Sequence, residues 1–186
     1  MEETFAVWSG RFQPPHIGHF AILRRSLDVL DMRHAAVLVA HFGWAASGAY
    51  GMYANQAYSG SKNPLTVWER ITLMELGIDG CGFSGKVIVL AAPRHDLDWE
   101  RVKELYPARR IICLTAKDDF EQAKVELWRE RGEEVRVLSD LTSGQVLTTT
   151  SIRKLVADGA DWREFLVESC HEYFTDIDGP RRVFGL

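Results

Sequence analysis

The sequence predicts an α/β fold: a doubly wound, mostly parallel five-stranded sheet with helices on both faces. Three observations predict it. Short, continuously apolar runs recur, as strands buried on both faces would. Longer segments between them carry apolar residues at helical spacing. The two kinds alternate from the first residues onward, the order that gives parallel strands joined by crossover helices.

The elements follow in order. "TFAVWS" (4–9) reads as a strand ending at Gly10, and "GHFAILRRSLDVLD" (18–31) as a helix with Phe20, Leu23, Leu27 and Leu30 on one face. "AAVLVAHF" (35–42) is a second strand. "LTVWERITLMELGI" (65–78) is a second helix with Thr66 as its cap. "KVIVLAAP" (86–93) and "RRIICLTA" (109–116) are strands with a short helix, 98–106, between them. "DDFEQAKVELWRERG" (118–132) begins with acidic residues and ends at Gly132, a charge order and a stop that suit a helix. "EVRVLS" (134–139) is the fifth strand. "TTTSIRKLVADG" (148–159) and "DWREFLVESCHEYF" (161–174) read as closing helices. Residues 42–63, rich in Gly, Ala, Ser and Tyr, break the rhythm. A connection of that length in a compact domain is usually a lid or a binding loop.

The chain has 186 residues, enough for one domain with a full core, so a single domain over 1–186 is expected, with helices 150–175 packed on it. It is 46% hydrophobic and 26% charged, which excludes a disordered chain. The net charge of −4 argues against nucleic acid as a partner, but a local cluster of arginines can bind a small anion inside an acidic protein. Cys81, Cys113 and Cys170 form no Cys-x-x-Cys pair, so no zinc site or disulfide framework is expected. No apolar run is long enough to span a bilayer, and "MEETFAVWSG" has no leader pattern. No membrane association is expected, and the cytoplasm is the expected compartment.

The chemistry concentrates in "SGRFQPPHIGHF" (9–20), where the first strand turns into the first helix. In an open parallel sheet, ligands bind beyond the carboxyl ends of the strands. Gly10 permits a sharp turn, Gly18 permits close approach of a ligand to backbone, and the helix start presents N–H groups with the positive end of the dipole. His16, His19 and Arg11 can address the same ligand. A phosphate group suits all of these parts. A histidine that merely caps a helix is the plain alternative for either imidazole alone. A second constellation, "LTTTSIRKL" (147–155), places Thr148, Thr149, Thr150 and Ser151 ahead of an apolar helix, with Arg153 one turn inside. By itself this is an ordinary capped helix. Beside the first motif, it supplies hydroxyls and a guanidinium fork for phosphate. "KNPLTVWERI" (62–71) is locally a loop, a proline and a capped helix.

These stretches resemble known signatures. "HIGH" (16–19) in its Gly-Arg-Phe-Gln-Pro setting resembles the His-x-Gly-His motif of the nucleotidyltransferase superfamily, in the form found in the nicotinamide mononucleotide (NMN) adenylyltransferase family. "LTTTSIR" resembles the superfamily's Ile-Ser-x-Thr-x-Ile-Arg, with Leu147 for Ile and Thr148 for Ser. Asn63, Pro64, Thr66, Glu69 and Arg70 match that family's Asn-Pro-Phe-Thr-x-x-Glu-Arg element, and "PRHDLDW" (93–99) and "TAKDD" (115–119) fall where it has a Pro-x-Arg-Asp stretch ending in Trp and a Lys-Asp element. The likeness runs from the first strand past Arg153. It implies a Rossmann-like fold, with His16, His19, Arg11 and Arg153 as catalytic contacts on a triphosphate. Gly10, Phe12, Gly18, Thr148, Thr149, Thr150 and Arg153 would bind the nucleotide. His41, Asn63, Arg70, Trp99 and Lys117 would face the acceptor. For Trp99, packing in the core is an equally good account.

The reaction so implied is transfer of a nucleotidyl group from an NTP to an ionised phosphate or phosphonate, with release of pyrophosphate. It needs positioning and charge neutralisation rather than a nucleophilic side chain. Mg²⁺ would come bound to the nucleotide, and no protein metal ligand is expected. The partners are thus an NTP, ATP or CTP, and a small anionic acceptor. Where the family has a short Gly-Ser-Ala turn after the second strand, this chain has His41 and the long 42–62 segment. Relatives in phosphonate pathways use CTP, so cytidylyl transfer to a small phosphonate such as phosphonoformate stands beside adenylyl transfer to NMN. A non-catalytic nucleotide-sensing module is a reading of another class. The closing helix carries no motif; packing, or a homo-oligomer contact, accounts for it.

Overall fold

The computed structural model describes residues 3–40, 63–92, 99–116, 119–138 and 147–186. Five strands form one sheet: β1 (Phe5–Gly10), β2 (His34–Ala40), β3 (Val87–Ala92), β4 (Arg110–Leu114) and β5 (Val135–Val137). Their order is β3-β2-β1-β4-β5, and every pairing is parallel. The chain therefore winds one way from β1 through β2 to β3 and then crosses to β4. The switch in strand order lies beside β1, and in sheets of this kind ligands bind there, beyond the strands' carboxyl ends.

The helices are α1 (Ile17–Leu30), α2 (Val67–Gly80), α3 (Trp99–Val102), α4 (Asp119–Glu130), α5 (Thr149–Ala157) and α6 (His171–Asp176). One apolar cluster joins the α1 residues Phe20, Leu23 and Leu27 and the α2 residues Met74 and Ile78 to Ala35, Val37 and Val39 on one face of β2. A second cluster joins Val102, Tyr106, Val125 and Trp128 to Ala36, Leu38 and Ile112 on the other face. Alternate residues of β2 are thus buried in opposite directions, which is why its run reads as continuously apolar.

A third cluster lies away from the sheet. Leu65 and Leu73 meet Ile152, Val156, Trp162, Leu166, Phe174 and Val183 there. The expected single helix over 161–174 is replaced by two short 3₁₀ turns, Trp162–Phe165 and Glu168–Cys170, followed by α6. Leu166 and Val167 are extended between them. Long-range bonds outweigh the helical spacing. The Ser169 hydroxyl donates to Leu76 O (2.7 Å), the Cys170 thiol donates to Leu73 O (3.2 Å), and the His171 ring bridges the carbonyls of Arg163 and Leu166.

Candidate active site

The turn after β1 is built around an aromatic ring. Phe12 adopts a left-handed backbone (φ 50°) and is buried, and its ring lies over Gly10, where a Cβ would meet it at 2.8 Å. Any larger residue at position 10 would displace the ring. Phe12 in turn packs edge-on against His19, with centroids 5.1 Å apart. His19 stacks on His16 at 3.6 Å. The His19 Nδ1 accepts the backbone N–H of His16 (3.1 Å), so the neutral ring carries its proton on Nε2. The first motif thus folds into a column: Phe12 under His19, and His19 against a buried His16.

The second motif closes on the first. A Cβ at Gly18 would meet both the His16 ring and Leu147 Cβ at 3.2 Å, so the absence of a side chain there lets the two signatures touch. Thr148 caps α5: its hydroxyl accepts from Ser151 N (3.0 Å), and its own N–H donates to the Ser151 hydroxyl (2.9 Å). The capping reading therefore describes the Thr148 and Ser151 hydroxyls. Thr149 and Thr150 form the first turn, whose amides have no acceptor within the helix. Arg153 follows one turn later. Its Nε and Nη2 are buried without a hydrogen-bond partner among the described residues.

The charges converge as the fold does. Burial lowers the Arg11 pKa, and the Arg153 charge lowers it further. Burial likewise lowers Arg153. Arg70 falls to about 10, through burial first and then the Arg11 charge, with Glu69 opposing. Three guanidiniums from three separated motifs therefore share one field beyond the carboxyl ends of the strands. A field of this sign favours an anionic ligand.

No family model matches the chain. It is 27% identical over 174 residues to a nicotinamide-nucleotide adenylyltransferase of Pyrococcus furiosus, covering 94% of this chain and 84% of that one. It is 28% identical over 183 residues to the protein of that name in Pyrobaculum aerophilum, covering 96% and 91%. Among solved structures it is similar to a bifunctional NMN adenylyltransferase/ADP ribose pyrophosphatase of Francisella tularensis (TM-score 0.66, 13% identity, 98% of this chain). The chain spans about half the length of that bifunctional protein, 52%. These likenesses are consistent with the nucleotidyltransferase superfamily. The chain's likeness there is to the nicotinamide-nucleotide adenylyltransferases, over nearly its whole length.

The residues expected on the acceptor side are placed unevenly. His41 and Lys117 lie outside the described residues, as does the 42–62 segment. Asn63 immediately precedes the Pro64–Thr66 turn into α2. Arg70 is buried, and its guanidinium donates to the carbonyls of Thr66 (3.1 Å), Arg11 (2.6 Å) and Ala40 (2.7 Å). It ties α2 to the chain leaving β1 and to the end of β2. Trp99 packs as the core account has it. It packs edge-to-face on Tyr106 and Trp128, with the Arg110 and Arg131 guanidiniums 5.2 and 5.5 Å from its ring. Arg110 pairs in register with Phe5, the first residue of β1, whereas His16 follows its last. About 16 Å of strand separates those ends at the rise of an extended chain. Aromatic packing therefore keeps Trp99 at the amino-terminal end of the sheet, away from the imidazoles.

Two residues without an assigned role in the sequence reading organise this region. Gln13 is buried. It donates to Leu65 O and accepts from Leu65 N, both at 3.0 Å, fastening the third motif to the first; the Gln13–Pro14 bond is cis. Arg182 grips Glu69 with both terminal nitrogens (2.6 and 3.0 Å). Gln13 stands inside the quoted motif, so its position was a signal. Arg182 stands 113 residues from its partner, with no local pattern to announce it. The cysteines are free, and burial raises their pKa values, to about 11 for Cys113 and about 12 for Cys170. None is a thiolate nucleophile near neutral pH.

Proposed function

We propose that this nucleotidyltransferase moves the AMP group of ATP onto NMN with release of pyrophosphate. The observation that carries the reading is the convergence of the stacked His16–His19 pair, Arg11 and Arg153 where Leu147 meets Gly18. The named relatives support the choice of acceptor.

In this reading Arg11 and Arg153 hold the triphosphate, with the amides of Thr149 and Thr150 beside them. The nucleotide's base rests against backbone near the start of α5 and the end of β2. An ionised phosphate oxygen of the acceptor attacks the α-phosphorus in line. The new P–O bond forms as the bond to the β-phosphate breaks, and the electron pair leaves with pyrophosphate. His16 and His19, as N–H donors, stabilise the charge gathering on the phosphoryl oxygens. No base is needed, because the nucleophile is already ionised. A solved neighbour is described as complexed with AMP and a manganese ion. The donors around this site are imidazoles and guanidiniums, and a guanidinium cannot ligate a cation. In the proposal Mg²⁺ therefore arrives on the triphosphate and supplies charge neutralisation there.

The test pairs melting temperature with pyrophosphate release, for ATP and CTP with Mg²⁺, using NMN and a small phosphonate as acceptors. ATP should raise Tm, since a ligand stabilises the state it binds, and turnover should require NMN. Turnover with CTP and the phosphonate instead would move the substrate assignment to the phosphonate branch. Binding of an NTP without turnover for any pair would leave a sensing module and remove catalysis.

A further inference from the structure

We propose that Arg182, close to the carboxyl terminus, is a positioning residue for the acceptor side of the site. It acts by holding the Asn63–Thr66 turn in place, and the proposal rests on the functional reading above.

The guanidinium makes four bonds with its two terminal nitrogens. Nη1 donates to Glu69 Oε1 (2.6 Å) and to Ile177 O (2.9 Å), and Nη2 donates to Glu69 Oε2 (3.0 Å) and to Pro64 O (2.6 Å). A planar guanidinium fixes the relative positions of its acceptors. Glu69 and Pro64 are therefore locked to each other as well as to the tail. Glu69 Oε2 also accepts the Thr66 N–H (2.7 Å), so one carboxylate serves both the cap of α2 and the Arg182 grip.

The grip passes on to the first motif. Leu65 follows Pro64 and is bonded through both its N–H and its carbonyl to Gln13. Gln13 lies three residues before His16. A continuous set of bonds thus runs from Arg182 through Pro64 and Leu65 to the turn that carries the imidazoles. Asn63, the residue of this turn that the motif places toward the acceptor, sits at its amino-terminal end.

The tail has its own means of holding Arg182 still. Val183, the next residue, is buried in the third apolar cluster, and the Arg182 N–H donates to Asp178 O (3.0 Å). A fixed backbone lets the side chain act as a strut. A lysine here keeps the charge but offers one nitrogen for acceptors spread around a planar fork.

The experiment compares Arg182→Lys, Arg182→Gln and Glu69→Gln with the wild-type chain. Steady-state kinetics would use ATP and NMN, with ATP affinity measured by calorimetry. Arg182→Lys should raise the KM for NMN about tenfold, the loss expected for charge-assisted hydrogen bonds, and leave ATP affinity and kcat within about threefold. Combining it with Glu69→Gln should add little, because both remove the same contact. Amide hydrogen exchange at Leu65 and Thr66 should quicken in Arg182→Lys while the β1 amides stay protected. A role confined to stability would lower Tm and the active fraction and leave the KM for NMN unchanged; that result overturns the proposal. If the wild-type chain does not use NMN, the functional reading fails by itself. The exchange measurement still decides the strut: unaltered protection at Leu65 in Arg182→Lys overturns it, and a local loss at 64–66 sustains it.

Discussion

The two ends of the sheet hold arginines in opposite ways. At the amino-terminal end, Arg110 meets Glu133 through two bonds of 2.7 Å, gives a third to Pro107 O (2.9 Å), and lies over Trp99 and Tyr106. Its charge is matched inside the fold. At the carboxyl-terminal end, Arg11 is depressed by burial and by Arg153, and Arg70 is depressed by burial and by Arg11. There cations face cations. One end is a finished structural joint. The other gathers guanidiniums whose charges depress one another, an arrangement that an anionic ligand would relieve. The lesson is that motif and environment have to be read together, since an arginine beside an aromatic cluster occurs at one end and beside a stacked imidazole pair at the other.

The comparison breaks first at the structural joint. Replacing Arg110 by Ala should cost about 3 kcal/mol, the low end for breaking a buried pair, because it strands Glu133 in a partly covered site. Both side chains keep slight exposure, 13% and 12%, which sets the lower value. Urea unfolding reads the loss, and kcat per folded molecule should be unaltered. Equal stability of the variant and the wild type would mean that the joint contributes nothing.

At the other end the effects should appear in rate and binding. His19→Ala should cut kcat about 100-fold, near 2.7 kcal/mol, with NTP affinity nearly kept, as for a donor that acts on developing charge. Equal losses in kcat and in calorimetric affinity would make His19 a ground-state contact. Arg153→Ala should weaken triphosphate binding by about 2 kcal/mol, roughly 30-fold, the scale of charge-assisted hydrogen bonds. Its Tm without nucleotide should hold or rise, since a partly buried cation beside Arg11 is removed. A fall in Tm comparable to that of Arg110→Ala would erase the contrast between the two ends.

Much of this was legible. β2 and β4 show as apolar runs because both faces of the sheet are covered. The caps at Thr66 and Thr148 show because a hydroxyl with a partner three residues on is a local device, and the local chain contains all of it. What the sequence could not reveal depends on distant contacts. The break at Leu166–Val167 exists because Ser169 and Cys170 bond to α2, and Trp99 turned inward because Tyr106 and Trp128 are waiting there. Leu73, Leu76 and Trp128 lie beyond the reach of a periodicity argument. Arg70 was legible as a motif residue but not as a strut between the ends of β1 and β2, because three carbonyls leave no trace in the sequence.

The smallest expected effect concerns a carboxylate close to the crowded cations, Glu69, which opposes the lowering at Arg70. Glu69 has its pKa lowered from 4.5, chiefly by the Arg182 hydrogen bonds and then by the Thr66 backbone and hydroxyl, against an opposing effect of burial. A carboxylate whose pKa is depressed by folding binds protons more readily in the unfolded chain. It contributes stability that is full above the unfolded value and is lost as pH falls through the lower folded value. Stability should therefore drop below about pH 4.5, and Glu69→Gln should remove the share of that slope that Glu69 contributes. Urea midpoints at pH 6 and pH 3.5 measure the difference. If Glu69→Gln shows the same acid loss as the wild type, then Arg182 does not bind the ionised carboxylate preferentially, and the latch between the tail and the third motif is held by the carbonyls of Pro64 and Ile177 alone.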